Sequence, residues 1–316
     1  MTDMDRLDIG TATPGTAGSV TGLQQTLSSL EVHKRRRIGI LVGGVLVSVL
    51  VVFLLIDVAT NPRFGWPVVG AYLFDPQVLQ GMLLTLLLTV VSMTAGIILG
   101  VVLAIMRVSG NPVLASVSSL YVWFFRGTPL LVQLIFWYNI AALYPVIALG
   151  LPFGGPSIVL GSANVLITPL GAALLGLSLN EAAYMAEIIR SGISSVDEGQ
   201  LDAGRALGMT RSKLLRRVIL PQAMRVVIPP TGNQVISMLK GTSLVSVLAI
   251  SDLLYAVQSI YSLNYEVIPL LLVACIWYLV MTTVLSAVQS RLEERYGRGF
   301  SPRRTSRLKK SKEPVS

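Results

Sequence analysis

The side chains that could do chemistry in this chain are few, and several of them lie inside apolar segments. Asn180, Glu181 and Lys240 fall within such segments, and Asn233 and Gln234 precede Lys240 by less than ten residues. Polar groups in an apolar segment are costly, so they indicate a functional role by default. The chemistry would be electrostatic, because Glu181 could bind a solute ammonium group and Lys240 a solute carboxylate. An ion pair between Glu181 and Lys240 is the structural alternative.

Covalent and metal-dependent chemistry find little support. The chain has one histidine, His33, and one cysteine, Cys275. A single histidine cannot form the multi-histidine sites that bind zinc. The sequence also shows no clustered pair of carboxylates that could act as a catalytic or metal-binding site. Cys275 lies in an apolar stretch, where a small buried side chain is the expected role. We therefore expect no enzyme, no metal site and no disulfide framework.

The elements that position these residues are membrane helices. Hydrophobic residues make up 53% of the 316 residues and charged residues 13%, which is half the charged share of a typical soluble domain. A spanning helix requires about 20 mostly apolar residues. The segments that meet this requirement are 38–56, 78–106, 120–147, 166–189, 226–250 and 267–289. The sequence therefore predicts an all-α integral membrane protein with six transmembrane helices.

The distribution of basic residues predicts the orientation. The net charge is +9, with 25 Lys and Arg residues. If six helices span the membrane, every Lys and Arg except Arg63 and Lys240 falls on the side of the two termini. The positive-inside rule then predicts that both termini are cytoplasmic. This arrangement explains the basic balance without a nucleic-acid partner, and we expect none.

The longest cytoplasmic connection, which precedes the fifth helix, has the pattern of a structured element. Ser195 or Asp197 can cap a short helix, and Gly208 fits the left-handed position that follows it. Thr210 can cap a second helix that Pro221 would stop. Apolar side chains on this otherwise basic element indicate either a docking site for a partner or an interfacial helix on lipid. The composition alone leaves both open.

This connection resembles the cytoplasmic signature of the permease subunits of bacterial ATP-binding-cassette (ABC) importers, in particular the polar amino acid group. That signature is E-A-A, three residues, G, nine residues, I-x-L-P. Here Asp202-Ala203-Gly204, Gly208 and Val218-Ile219-Leu220-Pro221 stand at the same spacing. Asp, Gly and Val replace Glu, Ala and Ile, and Gly204 is expected to weaken the helix by about 1 kcal/mol relative to Ala. Glu181-Ala182-Ala183 spells the motif literally, but neither the Gly nor the Leu-Pro follows it at the right spacing.

Other stretches resemble the amino acid group as well, so that the resemblance covers about residues 81–297. They are 125–133, 183–193, 229–234 and 239–244, the last with Gly241 in place of an acidic or amide residue. The resemblance implies a type I ABC importer permease in the bacterial inner membrane. It implies as partners a separate ATPase, an extracytoplasmic solute-binding protein and a second permease subunit, identical or different. Membrane lipid is a further expected partner.

The resemblance also implies what the chain does and does not do. The chain lacks the G-x-x-x-x-G-K-[ST] loop that cradles ATP phosphates, so we expect it to bind no cofactor and the partner subunit to use the ATP. The expected function is a transporter subunit that forms the translocation path and couples to the ATPase through the loop. A self-sufficient secondary transporter or channel is the alternative, although it does not explain a structured loop.

The predicted site residues form two groups, and no metal ligand belongs to either. The expected ATPase-coupling residues are Asp202, Ala203, Gly204, Arg205, Ala206, Leu207, Gly208, Leu220 and Pro221. The candidate residues of the translocation path are Asn180, Glu181, Asn233, Gln234 and Lys240.

Four parts of the chain are expected to differ in organisation. Residues 1–33 are predicted to be a disordered cytoplasmic tail, and residues 34–77 an extra N-terminal helix with an extracytoplasmic loop. Residues 78–297 are the predicted five-helix permease core, which contains the coupling loop at about 195–225. Residues 298–316 are expected to be a basic cytoplasmic tail.

Overall fold

Helices account for most of the residues that the structure describes. The computed structural model describes residues 38–150 and 157–297. His33, the basic run 34–37 and the two predicted tails lie outside the described residues. The chain forms two units, of which the first ends at Asn61 and the second begins at Pro62.

The first unit contributes one described helix, α1 (Ile38–Thr60). Its large apolar side chains between Leu41 and Ile56 are all exposed. The helix is long and apolar enough to cross a membrane. The first predicted helix is therefore confirmed as a candidate span, and its exposed apolar surface suits contact with lipid on all sides.

The described part of the second unit contains ten helices that are numbered here, together with a β-hairpin. They are α2 (Trp66–Tyr72), α3 (Pro76–Val108), α4 (Pro112–Gly127), α5 (Leu130–Tyr138), β1 (Val146–Gly150), β2 (Ser157–Ser162), α6 (Pro169–Ser194), α7 (Glu198–Ala206), α8 (Arg211–Leu214), α9 (Leu220–Gly241), α10 (Leu253–Asn264) and α11 (Val267–Gly297). Short helical turns cover Pro62–Phe64, Ile140–Ala142, Ala163–Leu166, Leu215–Ile219 and Thr242–Leu248.

Within the described residues, four helices are each long and apolar enough to span a membrane: α1, α3, α6 and α11. Two further pairs qualify only if each bent pair is one span. The first pair is α4 and α5, which are bent by 101°, and the second joins Arg211–Leu248 to α10 with a bend of 45°. The described part of the chain thus has four candidate spans, or up to six.

The prediction of a single third helix over residues 120–147 was wrong. Thr128 leaves the helical conformation, with φ −113° and ψ 144°. The cause is Pro129, because the proline ring disfavours helical backbone in the residue before it. After α5 the chain forms the antiparallel hairpin of β1 and β2, in which Val146 pairs with Ser162 and Gly150 with Ser157. This hairpin is a departure from the all-helical expectation.

The helix before the fifth predicted span does not stop at Pro221, so that prediction was also wrong. α8 continues through a π-helical turn, Leu215–Ile219, into α9. Pro221 occupies the first turn of α9, where its missing N–H is tolerated. Pro229 and Pro230 likewise lie inside α9 without ending it.

The centre of the second unit is the contact between α3 and α6. A β-carbon at Gly96 would lie 2.7 Å from Cγ of Glu181, and one at Gly100 would lie 2.6 Å from Cβ of Met185. The two glycines have GxxxG spacing, which lets helix backbones approach closely. Since residue numbers rise together along both helices, α3 and α6 run in the same direction and end on the same side.

Candidate functional site

A group of polar side chains holds the bend between α4 and α5, and we call Thr128, Gln133 and Asn180 the bend cluster. Gln133 and Asn180 are buried. Nε2 of Gln133 lies 2.9 Å from the carbonyl oxygen of Phe125 and 2.7 Å from Oγ1 of Thr128. Nδ2 of Asn180 donates to the same Phe125 carbonyl at 3.0 Å and to Oε1 of Gln133 at 3.2 Å. These donors satisfy the backbone acceptor that the break leaves without its helical partner.

The bend cluster changes the interpretation of two residues. Asn180 was a candidate for the translocation path, but its amide is 8% exposed and already bonded within the cluster. Gln133 was not among the predicted site residues. A signal was present, since this amide follows Pro129 by one helical turn in an apolar segment and a buried amide requires partners.

Glu181 lies one residue further along α6, against Gly96 of α3. Its side chain is 4% exposed. The amide of Gln234 on α9 lies 3.4 Å from each of its two carboxylate oxygens. Lys240 does not pair with it, as the ion pairs of the described residues are Arg190–Glu187 and Arg205–Asp202. The alternative of a Glu181–Lys240 ion pair was therefore wrong.

One face of α9 is polar and exposed, and we call Asn233, Ser237 and Lys240 the α9 polar face. The spacings of four and three residues put these side chains on one side of the helix, and all three are exposed. Asn233 accepts a hydrogen bond from Gln289 of α11 at 3.0 Å. Lys240 has no ion-pair partner in the part of the chain that the structure describes.

The five predicted path residues therefore occupy three different environments. Asn180 belongs to the bend cluster, and Glu181 and Gln234 form a contact between α6 and α9. Asn233 and Lys240 lie on the exposed face of α9. The structure does not bring all five together, but α9 carries three of them.

The predicted coupling loop is a compact element, and we call α7, α8 and the turn between them the coupling element. Gly208 has φ 68°, the left-handed conformation expected after a helix. Oγ1 of Thr210 accepts from the backbone N–H of Lys213 at 3.4 Å, so the predicted cap of the second helix is confirmed. The first helix begins after Asp197, whose side chain makes no cap hydrogen bond, while Oγ of Ser195 donates to the Gly192 carbonyl.

Gly204 is the position where α7 and α8 meet. It is buried, and a β-carbon there would lie 2.5 Å from Cδ1 of Leu214. The alanine that the family signature has at this position would therefore require the side chain of Leu214 to shift. Gly204 is expected to weaken α7, but the absence of a β-carbon allows this close contact between α7 and α8.

The remaining residues of the predicted coupling group are exposed. Leu207 is 82% exposed, although it is a large apolar residue. The side chains of Asp202 and Arg205 form an ion pair at 2.9 Å and are about 70% exposed. Ala203, Ala206 and Gly208 are exposed beside them, and so are Leu220 and Pro221 in the first turn of α9. The element thus presents apolar surface around Leu207 without a partner in the described chain.

Neither a metal centre nor a reactive thiol stands out. The described residues contain no group of three or more His, Cys, Asp and Glu side chains that could hold a metal ion. Cys275 is exposed on α11, so its expected burial was wrong. A small side chain at an exposed position of a spanning helix can face lipid tails without cost.

The chain is similar to known transport proteins over most of its length. Residues 96–298 match the protein family described as "binding-protein-dependent transport system inner membrane component". The arginine transport system permease protein ArgU of Corynebacterium glutamicum is 45% identical over 280 residues, which cover 88% of this chain and 86% of ArgU. The L-cystine transport system permease protein TcyB of Bacillus subtilis is 39% identical over 226 residues, covering 71% of this chain and 88% of TcyB.

A solved structure supports the same relationship. The crystal structure of an amino acid ABC transporter with histidines contains a chain that is 36% identical to this one and superposes with a TM-score of 0.59. The match covers 70% of this chain and 95% of that chain. Family membership implies an ATPase and a solute-binding protein as partners, with ATP used by the ATPase. The chain belongs to the family of binding-protein-dependent transport system inner membrane components, and it is a multi-pass subunit of a transporter rather than an enzyme.

Proposed function

We propose that this chain is the permease subunit of an ATP-driven amino acid importer and that its coupling element docks into the ATPase. The observation that carries the proposal is Leu207, which is 82% exposed at the end of a helix that is itself packed through Gly204. Leu207 lies within the stretch that matches the family signature, and an apolar side chain held outward there suits a docking contact with a partner. The similarity to ArgU, TcyB and an amino acid ABC transporter supports the substrate class.

The continuity of the chain after the coupling element supports a mechanical role. α8, the π-helical turn and α9 follow one another without a loop. A displacement of α7 and α8 by the ATPase would therefore act directly on α9, since a continuous helix transmits motion better than a flexible linker. Alternating access by rocking helices requires a rigid connection of this kind.

The α9 polar face supports a translocation path shared with a second permease subunit, identical or different. Asn233, Ser237 and Lys240 are exposed in the single chain, and exposed polar groups at membrane depth are costly against lipid. A second subunit and an aqueous path between the two would remove this cost. In this arrangement the basic ends of the helices and both termini are cytoplasmic.

Two charged groups near α9 are suited to a zwitterionic solute. Glu181 has only the neutral amide of Gln234 as a described partner, so its carboxylate can receive an ammonium group once a path reaches it. Lys240 is exposed and without a carboxylate partner in the described chain, so it can bind a carboxylate. Asn180 is better assigned to the bend cluster than to solute binding.

Transport by reconstituted protein tests the function. Vesicles that contain this chain with its ATPase subunit and binding protein are expected to accumulate an amino acid when ATP is supplied to the ATPase. Vesicles that contain this chain alone are expected to show no uptake with ATP. Uptake by the chain alone, driven by a proton or sodium gradient, would instead support a self-sufficient secondary transporter.

Cysteine labelling tests the path separately. Replacing Cys275 by Ser leaves no cysteine in the chain, so Ser237→Cys can then be introduced alone. A water-soluble maleimide is expected to label this position in the assembled transporter. Leu87→Cys, at an exposed apolar position of α3, is the matched control and is expected to stay unlabelled. Equal labelling of the two positions would contradict a path along α9.

A further inference from the structure

Three arginines from three different helices lie around one glutamate, near the end of α6 that leads into the coupling element. Arg190 of α6 forms two contacts with Glu187, from Nε to Oε2 at 3.1 Å and from Nη2 to Oε1 at 2.5 Å. Arg126 of α4 lies over the ring of Tyr184, with its guanidinium carbon 5.3 Å from the ring centre. Arg107 of α3 and Arg126 both interact electrostatically with Glu187.

The register of the helices accounts for this convergence. Gly100 of α3 lies against Met185 of α6, and the two helices run in the same direction. Arg107 follows Gly100 by seven residues on α3. It is therefore level with the last turns of α6, where Glu187 and Arg190 lie. Tyr184 is one turn earlier on α6 and brings Arg126 to the same place.

The cluster carries unbalanced positive charge. Its single carboxylate, Glu187, is already engaged by both contacts with Arg190. Arg107 and Arg126 form no ion pair with a carboxylate in the part of the chain that the structure describes. Three guanidinium groups and one carboxylate leave two positive charges, one of which is held in place by stacking on Tyr184. Guanidinium groups fixed in this way suit a phosphate, which they can bind with two parallel hydrogen bonds.

The position of the cluster corresponds to lipid headgroups. α6 has 26 residues and is therefore about 39 Å long, which exceeds the hydrocarbon thickness of about 30 Å. Its last turns, which hold Glu187 and Arg190, consequently lie near the headgroup region. Trp123 is 71% exposed and precedes Arg126 by one turn of α4, as expected for an aromatic residue at a membrane interface.

Acyl chains have a surface beside the cluster. α4 presents a stripe of exposed apolar side chains that leads toward Arg126. Its members are Val113 (67% exposed), Val117 (52%), Leu120 (64%) and Trp123 (71%). The opposite face of α4 is buried through Ser118, Val122 and Phe125. A headgroup bound by the arginines would therefore place its chains against an apolar surface that no described residue covers.

We propose that Arg107 and Arg126, the latter positioned by Tyr184, bind the phosphate of an anionic phospholipid in the leaflet on the side of the coupling element. Glu187 keeps Arg190 in place, and the stacking on Tyr184 orients Arg126 toward the headgroup. The chemistry is phosphate recognition by guanidinium groups, and the source of the phosphate is a lipid rather than a soluble ion, because the apolar stripe of α4 adjoins it.

Quenching of tryptophan fluorescence by brominated lipids measures this binding. The purified chain is reconstituted in phosphatidylcholine vesicles that contain increasing brominated phosphatidylglycerol, with brominated phosphatidylcholine as the reference lipid. The wild type is expected to prefer phosphatidylglycerol in a saturable component that the Trp123→Phe variant lacks. Arg126→Gln and Arg107→Gln are each expected to lower this preference about fivefold, whereas Arg63→Gln, before α2, is expected to leave it unchanged.

Two further arms make the result decisive. Thermal unfolding of each variant shows whether it is folded, and Tyr184→Leu, which retains every charge, is expected to lower the preference by releasing Arg126. Inorganic phosphate, compared with chloride at equal ionic strength, is expected to displace no lipid. An unchanged preference in folded Arg126→Gln and Arg107→Gln, or displacement by inorganic phosphate, would overturn the proposal. The assay contains neither ATPase nor solute, so its outcome is independent of the proposed transport function.

Discussion

The bend cluster and the coupling element use polar residues in opposite ways. In the bend cluster, Gln133 and Asn180 are buried and bonded to each other and to the Phe125 carbonyl. In the coupling element, Asp202 and Arg205 are exposed and bonded only to each other among the described residues. Buried polar groups without partners are costly, whereas exposed ion pairs contribute little to stability. We infer that the first region fixes the fold and that the second is free to serve a partner.

Replacement of Gln133 by Leu is expected to have the largest effect on stability. It removes a donor from the Phe125 carbonyl oxygen and from Oγ1 of Thr128. It also removes the Oε1 acceptor of the buried Asn180 amide. A buried group that loses its hydrogen bond costs about 1–3 kcal/mol, so the expected loss is about 3 kcal/mol. Thermal unfolding of the purified protein in detergent measures it.

Asn139→Leu is the matched control for this prediction. Asn139 is also an amide near α5, and its Nδ2 donates to the Ile135 carbonyl at an exposed site. Its replacement is expected to change the unfolding temperature much less. Equal effects of the two replacements would contradict the inference that the buried hydrogen bonds of the bend cluster stabilise the fold.

Gly100→Ala is expected to have the next largest effect, because it disturbs the contact between α3 and α6. The new β-carbon would lie 2.6 Å from Cβ of Met185, and overpacking of this kind costs about 1–3 kcal/mol. Gly70→Ala in α2, where a β-carbon would meet nothing within 4 Å, is the control. Unfolding temperatures of the two variants are compared, and a stable Gly100→Ala protein would contradict the close contact.

Gly208→Ala is expected to cost about 1 kcal/mol, since a residue with a β-carbon is strained in the left-handed conformation. Gly208 has φ 68°, and no other atom crowds it. Gly208→Asn should be less destabilising, because Asn tolerates this conformation better. Chemical denaturation of the variants tests the order, and an Asn variant less stable than the Ala variant would rule out backbone strain as the cause.

Asp202→Asn is expected to have the smallest effect on stability, below about 0.5 kcal/mol, because the ion pair with Arg205 is exposed. The same replacement is nevertheless expected to weaken ATPase binding if the carboxylate contacts the partner. Measuring the unfolding temperature together with the affinity for the ATPase subunit separates the two effects. A large loss of stability would place Asp202 with the residues that fix the fold.

The parts of the fold that follow from hydropathy could be predicted from the sequence. The helices α1, α3, α6 and α11 follow from long apolar stretches, and the positions of Gly208 and Thr210 follow from local conformational preference. The break at Thr128 was missed because hydropathy does not register the effect of a proline on the residue before it. The passage of the helix through Pro221 was missed because the π-helical turn depends on the surrounding chain rather than on one residue.

The candidate site divides in the same way. The predicted coupling residues match a family signature with fixed spacing, so the resemblance points to them without knowledge of the fold. The path residues come from α6 and α9, and their burial depends on contacts that only the folded chain defines. Asn180 and Glu181 are neighbours in sequence, yet Asn180 bonds to the Phe125 carbonyl while Glu181 contacts Gln234. Such a division between adjacent residues cannot be read from their types.

The central claim is that the coupling element serves the ATPase and not the fold, and Leu207→Glu tests it most directly. Leu207 is 82% exposed, so the variant is expected to unfold at the temperature of the wild type. It is also expected to capture much less of the co-expressed ATPase subunit and to lose ATP-driven uptake, because the charge would enter an apolar contact. A variant that is equally stable and retains full capture and full uptake would contradict the account.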